Sequence, residues 1–305
     1  MIIDMPDTTT NAVNKRLVNL RDEGGAIALG RVLTLVILTD EDSLEDAVEA
    51  ANSASREHPC RIVVVAPTAT RGSAGLDAQI RVGGDAGASE VVVLRPSGTL
   101  REHTDTLVMP LLLPDAPIVA WWPGQAPENP AGDLVGRMAH RRITDAVACT
   151  GTREVLDRLG EHHEPGDTDL AWTRITVWRG LIAAALDQPP YEPVTSVLVE
   201  GAADHPSVDL LAAWLGRQLR CPATVARVDG VEGITRVELV RRGGSIELSR
   251  PDGRTATLTE PGKPVRHLAM PLRTLQECLS EELRRLDPDE VFGEVLTKGL
   301  AGVSG

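Results

Sequence analysis

Two groups of polar residues in the sequence could bind a ligand or a partner. The first begins with two adjacent arginines. Arg141 and Arg142 precede Asp145 in the run RRITDA, at the start of a predicted strand. A guanidinium group carries its donors in a planar fork, so an arginine pair can hold a phosphate or a carboxylate of a partner through several hydrogen bonds. The same side chains could instead be surface residues that form ion pairs with nearby acids. The run therefore leaves two interpretations open, an anion or partner site and a surface ion pair.

The second constellation has the spacing of a helix. Asp169, Trp172, Thr176 and Arg179 fall on one narrow stripe if the segment is helical. Because residues 168–188 are apolar almost all round, they are typical of a buried helix, whose polar side chains need partners. Two interpretations are open here as well. The stripe could be an internal hydrogen-bonded network that joins two domains, or a ligand or partner site that faces their junction.

Two tryptophans, Trp121 and Trp122, stand at the end of a predicted strand in the run PIVAWWPG. They are two of only five tryptophans in a chain with one tyrosine and one phenylalanine. Successive strand residues point to opposite faces, so the two side chains cannot enter the same core. We expect one to seal the first domain and the other to face the opposite layer, the neighbouring domain or a partner, with one of them exposed. The pair is interpreted as packing plus a junction.

Motifs for several other kinds of chemistry are missing. The sequence has no GxSxG elbow, no HExxH motif and no GxxxxGK[ST] loop. Adjacent residues point apart on any regular element, so His162 and His163 are interpreted as part of a solvated linker. Gly83, Gly84 and Gly87 lie between two predicted strands, whereas a dinucleotide loop opens a helix, so they favour a hairpin loop. We predict no catalytic residue, no metal site and no cofactor.

Composition and charge narrow the possible partners and the cell compartment. The 305 residues are 42% hydrophobic and 25% charged, which is typical of a globular protein with room for two domains. A net charge of −13 disfavours nucleic acid and anionic lipid as partners. No apolar run is long enough to span a membrane, and the N-terminus does not resemble a secretory signal. The sequence therefore predicts a cytoplasmic protein.

The four cysteines are dispersed and show no metal-ligand or redox spacing. They are Cys60, Cys149, Cys221 and Cys278. In a cytoplasmic protein such residues are expected to be reduced thiols that pack as small apolar groups. Whether any of them pair depends on geometry that the sequence does not supply.

The order of elements in the first half predicts a mixed α/β domain. Apolar runs at 31–39 and 61–67 read as buried strands, and the helical pattern at 43–57 between them indicates a parallel β-α-β unit. Strands on both sides of the Gly-rich segment predict a hairpin, and residues 98–114 are predicted to be helical. We expect an N-terminal mixed α/β sandwich over residues 1–163.

The second half predicts a domain of a different kind. A strand and a helix precede four short strand patterns between 222 and 260, with Gly-rich turns between three of them, which indicates an antiparallel meander. Two helices are predicted at 271–286 and 287–300. Since the charged, Pro- and Gly-containing run EHHEPGD at 161–167 is typical of a linker, we expect a C-terminal α+β or mixed α/β domain over residues 164–305, with a helical C-terminus.

Four segments together carry a resemblance to a known family. They are DTTTNAVNKRL (7–17), LPDAPIVAWWPG (113–124), RRITDA (141–146) and GDTDLAWTRITVWR (166–179). In this order the sequence resembles the glucose-6-phosphate dehydrogenase assembly proteins of the OpcA family, in their actinobacterial form, over nearly the full chain. The resemblance implies a non-catalytic partner of glucose-6-phosphate dehydrogenase, the NADP-reducing entry enzyme of the oxidative pentose phosphate pathway. It implies a protein–protein interface rather than an active site.

Three hypotheses on function follow from these observations. The first is an assembly factor or allosteric activator that binds glucose-6-phosphate dehydrogenase and promotes its active oligomer. The second is a sugar-phosphate- or nucleotide-binding protein or enzyme that uses the domain cleft, and the third is a metabolite-sensing module. Because interfaces are enriched in tryptophan and arginine, the constellations above supply the candidate partner or ligand contacts. These are Trp121, Trp122, Arg141, Arg142, Asp145, Asp169, Trp172, Thr176 and Arg179.

Overall fold

The protein consists of two compact α/β units, and the chain enters the first of them twice. A computed structural model describes residues 1–23, 31–68, 73–83 and 90–304. The first unit comprises Met1–Ala148 and Leu275–Pro288, and the second comprises Cys149–Thr274 and Asp289–Gly305. The predicted α/β class with two domains is confirmed, whereas the predicted boundary between residues 163 and 164 stays a prediction.

Strands and helices alternate in the first half and cluster in the second. The strands are β1 (Ile2–Met5), β2 (Leu33–Leu38), β3 (Cys60–Val65), β4 (Gly75–Arg81), β5 (Glu90–Ser97), β6 (Ile118–Trp122), β7 (Arg141–Thr144), β8 (Asp167–Asp169), β9 (Val194–Ala202), β10 (Ala223–Val228), β11 (Ile234–Arg241), β12 (Ile246–Ser249), β13 (Thr255–Thr259), β14 (Arg266–Ala269) and β15 (Val303–Ser304). The α-helices are α1 (Thr10–Glu23), α2 (Leu44–Ala54), α3 (Thr104–Val108), α4 (Thr152–Glu161), α5 (Leu170–Thr173), α6 (Thr176–Leu186), α7 (Pro206–Leu219), α8 (Leu275–Arg284) and α9 (Glu290–Glu294). No helix in the described part of the chain is both long and apolar enough to cross a membrane.

The strands of the first unit form one mixed sheet in the order β1-β4-β5-β3-β2-β6-β7. β2 pairs in parallel with β3 and with β6, and β6 pairs in parallel with β7. β4 runs antiparallel to β5, which confirms the predicted hairpin. Gly83 at its turn has a φ of 75°, a conformation that glycine adopts without strain; Gly84 and Gly87 lie outside the described residues.

Helices lie on both faces of this sheet. On one face, Val13 and Leu17 of α1 pack into a core with Val36, Val63 and Val92 of the central strands. On the other face, α2 follows β2 and contacts β3, and α8 packs against α2. The central strands are buried on both faces and are therefore continuous apolar runs, as parallel strands with helices on both sides require.

The second unit contains a sheet in the order β14-β13-β12-β11-β9-β10-β15. β9 pairs in parallel with β10, and the strands from β11 to β14 form an antiparallel meander. The predicted meander is thus confirmed, although β14 was not foreseen, since its four residues show little burial. α7 contacts β9 and β10, with Val208 beside Gly201 of β9 and Gly216 beside Ala223 of β10.

Three predicted helices are shorter or more broken than their patterns suggest. Residues 98–114 form a 3₁₀ turn, the short α3 and a second 3₁₀ turn, because Pro110 has no N–H to continue an α-helix. Residues 168–188 are β8, α5 and α6, with a break at Arg174 and Ile175 in a run rich in β-branched residues, which favour helices poorly. The predicted helix at 287–300 is α9 followed by a π-helical turn at Val295–Gly299.

Candidate functional site

Both tryptophans of β6 are buried. Trp121 is fully enclosed and Trp122 is 5% exposed, so the expectation that one of them lies exposed is wrong. Trp122 belongs to the core that includes Val13 and Leu17 of α1, and alternation along the strand directs Trp121 to the opposite face. β6 is an interior strand, between β2 and β7, and both of its faces are covered. The pair serves packing on two faces of the first unit.

The arginine pair of β7 is also buried. Arg141 is 4% exposed; its Nη1 donates to the carbonyl of Asp287 (2.6 Å) and its Nη2 donates to Glu282 Oε2 (2.5 Å). Glu282 lies on α8 and is itself 7% exposed. The ion pair between Arg141 and Glu282 therefore connects β7 to α8 within the first unit. For Arg141 the structure shows an ion pair with an acid of its own chain, but a buried one rather than a surface one.

Arg142 and Asp145, which belong to the same RRITDA run, bond to nearby backbone. Arg142 Nη1 donates to the carbonyl of Ala139 (3.1 Å), and Asp145 Oδ1 accepts from the backbone N–H of Val147 (3.2 Å). Arg142 is 7% exposed and Asp145 is 3% exposed. Their side chains stabilise the turns on either side of β7.

In the second unit, Trp172, Thr176 and Arg179 of the predicted stripe are linked through Arg179. The Arg179 guanidinium carbon lies 3.8 Å from the centre of the Trp172 ring, a cation–π contact, and Arg179 Nη2 donates to Thr176 Oγ1 (3.2 Å). Asp169, the remaining residue of the stripe, caps the start of α5, where its Oδ1 accepts from the N–H of Ala171 (2.8 Å). The helical spacing thus predicted the contact among Trp172, Thr176 and Arg179.

Asp289 completes this constellation and was missed at the level of sequence. Its Oδ2 accepts from Trp172 Nε1 (2.8 Å), while its Oδ1 accepts from the N–H of Phe292 (2.9 Å) and caps α9. The cap could have been read from the aspartate that precedes the apolar residues of α9. Its bond to Trp172 could not, because the two residues are 117 positions apart.

An aromatic cluster extends from Trp172. The Phe292 ring centre lies 5.8 Å from that of Trp172 and 5.9 Å from that of His163, with the His163 ring nearly perpendicular. A Cβ on Gly293 would lie 2.5 Å from His163 Nε2, so only glycine leaves room for the imidazole. His162 is exposed, but the His163 side chain is 14% exposed, so its interpretation as a solvated linker residue is wrong.

A histidine lies at the start of α7, close to two arginines. His205 caps this helix, and its Nδ1 accepts from the N–H of Ser207 (3.3 Å). Burial, together with the nearby charges of Arg174 and Arg250, lowers the pKa of His205 to about 4, so the imidazole is neutral at neutral pH. Arg250 is 5% exposed and donates to backbone carbonyls, including that of Ile234 (3.3 Å); burial lowers its pKa too.

Thiols and metal ligands are not assembled into a reactive centre in the described residues. Cys60, Cys149 and Cys278 are buried, Cys221 is half-buried, and no disulfide joins the four. Burial raises the pKa of the Cys221 thiol. Within the described ranges, no group of three or more histidine, cysteine, aspartate and glutamate side chains is arranged to hold a metal ion.

Comparisons with known proteins give matches over both halves of the chain. Residues 51–161 match the family model described as the glucose-6-phosphate dehydrogenase subunit N-terminal domain, and residues 165–296 match that of its C-terminal domain. A putative OxPP cycle protein OpcA from Synechococcus elongatus is 29% identical over 75% of this chain and 52% of its own length. A protein of the same name from Synechocystis is 23% identical over 83% and 54% respectively. The chain thus spans about half the length of these curated relatives.

Solved structures give a weaker similarity. An oxidoreductase from Sinorhizobium meliloti superposes with a TM-score of 0.44 at 11% sequence identity, over 89% of this chain and 96% of that one. A TM-score below 0.5 supports no statement on fold or activity. The family matches are therefore the comparison on which an assignment can rest.

Proposed function

We propose that this chain, which belongs to the OpcA family of glucose-6-phosphate dehydrogenase subunits, binds glucose-6-phosphate dehydrogenase and raises its activity without catalysing a reaction itself. The observation that carries the proposal is the match of both family domains, in order, over residues 51–161 and 165–296. The relatives named above are called putative OxPP cycle proteins, which supports a place in the same pathway. The actinobacterial subtype stays a prediction.

The way polar side chains are used supports a non-catalytic role. Arg141 is engaged by Glu282 and by a backbone carbonyl, and Asp289 is shared between the Trp172 indole and the cap of α9. His205 is held neutral as a helix cap. These three side chains, an arginine, an aspartate and a histidine, thus hold helices and strands in place.

A binding partner can change the activity of an enzyme only through a difference in affinity for its states. If the protein binds the active oligomer of the dehydrogenase more tightly than the inactive form by about 1–3 kcal/mol, the ratio of active to inactive enzyme rises by about 5–150-fold. The finer parts of the proposal, allosteric activation and promotion of the active oligomer, require this differential binding.

Among the candidate contacts, those on α6 are the best placed to reach a partner. Thr176 and Arg179 are half-exposed, and Val177 between them is 41% exposed. Trp121 and Trp122, at 0% and 5% exposure, would have to leave the core to touch another protein. We therefore propose the exposed face of α6 as part of the interface, with Arg179 held over Trp172 as its anchor.

The test is to add the purified full chain at micromolar concentration to glucose-6-phosphate dehydrogenase from the same organism. We expect the rate of NADP reduction to rise and the sedimentation profile of the enzyme to shift to a larger species. An equal concentration of heat-denatured chain is the control. If neither rate nor sedimentation changes, the proposal fails.

Arg179→Ala tests the interface on α6. The substitution removes the cation–π contact and the bond to Thr176, and we expect weaker activation of the dehydrogenase by about tenfold in half-maximal concentration. Arg242→Ala is the matched control, since Arg242 is an exposed arginine in the turn that follows β11 of the same unit. Equal activation by the two variants would remove α6 from the interface while leaving the association itself intact.

A further inference from the structure

An open cavity lies in the second unit beside the C-terminal half of α7. Its volume is about 570 Å³, within the range of about 300–1,000 Å³ that small-molecule sites have. The lining comes from α7 and the two residues after it, from β10, from the end of α9, from the π-helical turn and from residues 302–303, so it belongs to one unit entirely. None of the side chains considered above as candidate contacts lines it. We call it the α7 cavity.

Small side chains form the floor of the α7 cavity. α7 contributes Ala212, Ala213 and Gly216, and Ala223 and Gly299 face them from β10 and from the π-helical turn. A Cβ on Gly216 would lie 3.0 Å from the Cβ of Ala223, and one on Gly299 would lie 3.2 Å from the Cβ of Ala213. These glycines hold the backbone segments close together. The depression is therefore shaped by packed backbone, which gives a preformed surface for a ligand.

Positive charge surrounds the opening of the α7 cavity. Arg217, Arg220 and Lys298 are exposed along the rim, where Glu294 is the one carboxylate among the lining residues. Arg217 Nη2 lies 3.0 Å from Glu294 Oε2, so these two charges offset each other. In the part of the chain that the structure describes, no acid forms an ion pair with Arg220 or Lys298.

The local charge at this rim is positive, whereas the net charge of the chain is negative. Two uncompensated cations at one cavity, in a chain with a net charge of −13, make a local positive potential that favours an anion over a neutral or cationic ligand. Arg220 also has a φ of 55°, a left-handed conformation that glycine usually supplies at the end of a helix. An arginine with a long cationic side chain stands there instead, at the mouth of the cavity.

We propose that the α7 cavity binds a small organic phosphate, of the size of a sugar phosphate or a nucleotide. The phosphate lies between Arg220 and Lys298, where an arginine fork and an ammonium group can both donate to its oxygens. The organic part lies on the floor of alanines and glycines, where a flat or compact body can approach the backbone. The site is separate from the face of α6, and it does not depend on the dehydrogenase.

The test is calorimetric titration of the full chain with two matched pairs of compounds, ADP with adenosine and glucose 6-phosphate with glucose. We expect at least one phosphorylated compound to bind with a dissociation constant of about 1 mM or lower, and its unphosphorylated counterpart to give no heat. Added salt should weaken the binding, since the cations lie at an exposed rim.

Two sets of variants locate the binding at the rim. The double substitution Arg220→Gln with Lys298→Gln should weaken binding at least about tenfold, because it removes both charge-assisted contacts. Glu294→Gln should tighten binding, because it removes the rim carboxylate and releases Arg217. A gain of affinity cannot come from damage to the fold, so this variant keeps the proposal testable if the double variant is unstable.

A third variant fills the cavity. A Cβ at Gly302 would meet no heavy atom of the described residues within 4 Å, so Gly302→Leu should block the site without a clash. Gly180→Leu on α6 is the matched control, since a Cβ there is equally open and lies outside the cavity. Failure of both phosphorylated compounds to bind would overturn the proposal. Binding that the double variant and Gly302→Leu leave unchanged would overturn it as well.

Discussion

Arg141 and Glu282 form a buried ion pair. Removing one charge of such a pair destabilises a protein more than replacing both residues with apolar side chains of similar size. Both side chains are less than a tenth exposed, so the loss of one charge leaves the other buried and uncompensated. Glu282→Gln should lower the free energy of unfolding by about 3 kcal/mol. Urea denaturation followed by tryptophan fluorescence measures this, because Trp121 and Trp122 contribute a signal from the same unit.

The double variant Arg141→Met with Glu282→Leu should recover most of that loss, because apolar side chains can fill the same space without a desolvation cost. Glu41→Gln is the control. Glu41 pairs with Arg95 but its side chain is 50% exposed, so its loss should cost well under about 1 kcal/mol. A similar small effect for Glu282→Gln would show that the buried pair contributes little.

His205 should make stability depend on pH. The unfolded imidazole has a pKa near 6.5, whereas burial and two arginines lower the folded pKa to about 4. Stability from the neutral imidazole is therefore complete above about pH 6.5 and is lost as the pH falls toward 4. His205→Asn keeps a capping acceptor without a titrating group, so the variant should hold about 2 kcal/mol more of its neutral-pH stability at pH 4.5. Urea midpoints at pH 7.0, 5.5 and 4.5 compare the two, and parallel profiles would contradict the prediction.

At the scale of elements, a glycine sits where β9 and β11 come too close for any side chain. A Cβ on Gly201 would lie 2.5 Å from the carbonyl oxygen of Gly233 and 3.0 Å from Cα of Ile234, beside a register shift in β11. Because these are backbone atoms, the strands must move apart. Gly201→Ala should therefore destabilise the second unit by about 1–3 kcal/mol.

Gly180→Ala should stabilise the protein, in contrast to Gly201→Ala. Gly180 lies inside α6, and a Cβ there meets open space within the described residues. Alanine in a helix interior is favoured over glycine by about 0.5–1 kcal/mol, so this variant should be more stable. Thermal unfolding of both variants compares them directly. Equal melting temperatures would show that the strands yield at Gly201 without cost.

Hydrophobic periodicity predicted the presence of helices and strands better than it predicted the residues at which they end. The parallel strands around α2 and the meander follow from runs of β-branched residues, since alternation and burial act within a few positions. Residues 168–188 are predicted to form one helix, but the helix is interrupted at Arg174 and Ile175, where the helix propensity of the sequence is low. Trp172, Thr176 and Arg179 still meet, since only two residues separate α5 from α6. Helical spacing on either side of so short a break keeps the neighbours close.

The partners of those residues could not be foretold in the same way. Glu282 is 141 positions from Arg141, and Asp289 is 117 positions from Trp172. No local pattern encodes which distant segment supplies a charge, so both contacts were missed. For the same reason both tryptophans of β6 are buried: the alternation predicted their opposite faces, but the helices that cover both faces come from elsewhere in the chain.

At the scale of the whole molecule, the first unit is made of two separate pieces of chain. α8 packs against α2 and supplies Glu282 to β7, so residues 1–148 alone should lack part of their core. We expect this fragment to unfold without a cooperative transition, whereas the same fragment joined to residues 275–288 through a Gly/Ser linker should regain one. Circular dichroism during urea denaturation measures this. A cooperative transition of the short fragment would show that α8 is dispensable.

The late arrival of α8 has a consequence for synthesis on the ribosome. Arg141 emerges 141 residues before its partner Glu282, which at ~5–20 residues per second is a delay of roughly ten seconds. During that interval α2 lacks the cover of α8 and Arg141 lacks Glu282, while the chain of the second unit is still being made. The nascent protein therefore passes through a period in which chaperones and proteases can reach a surface that the finished molecule conceals.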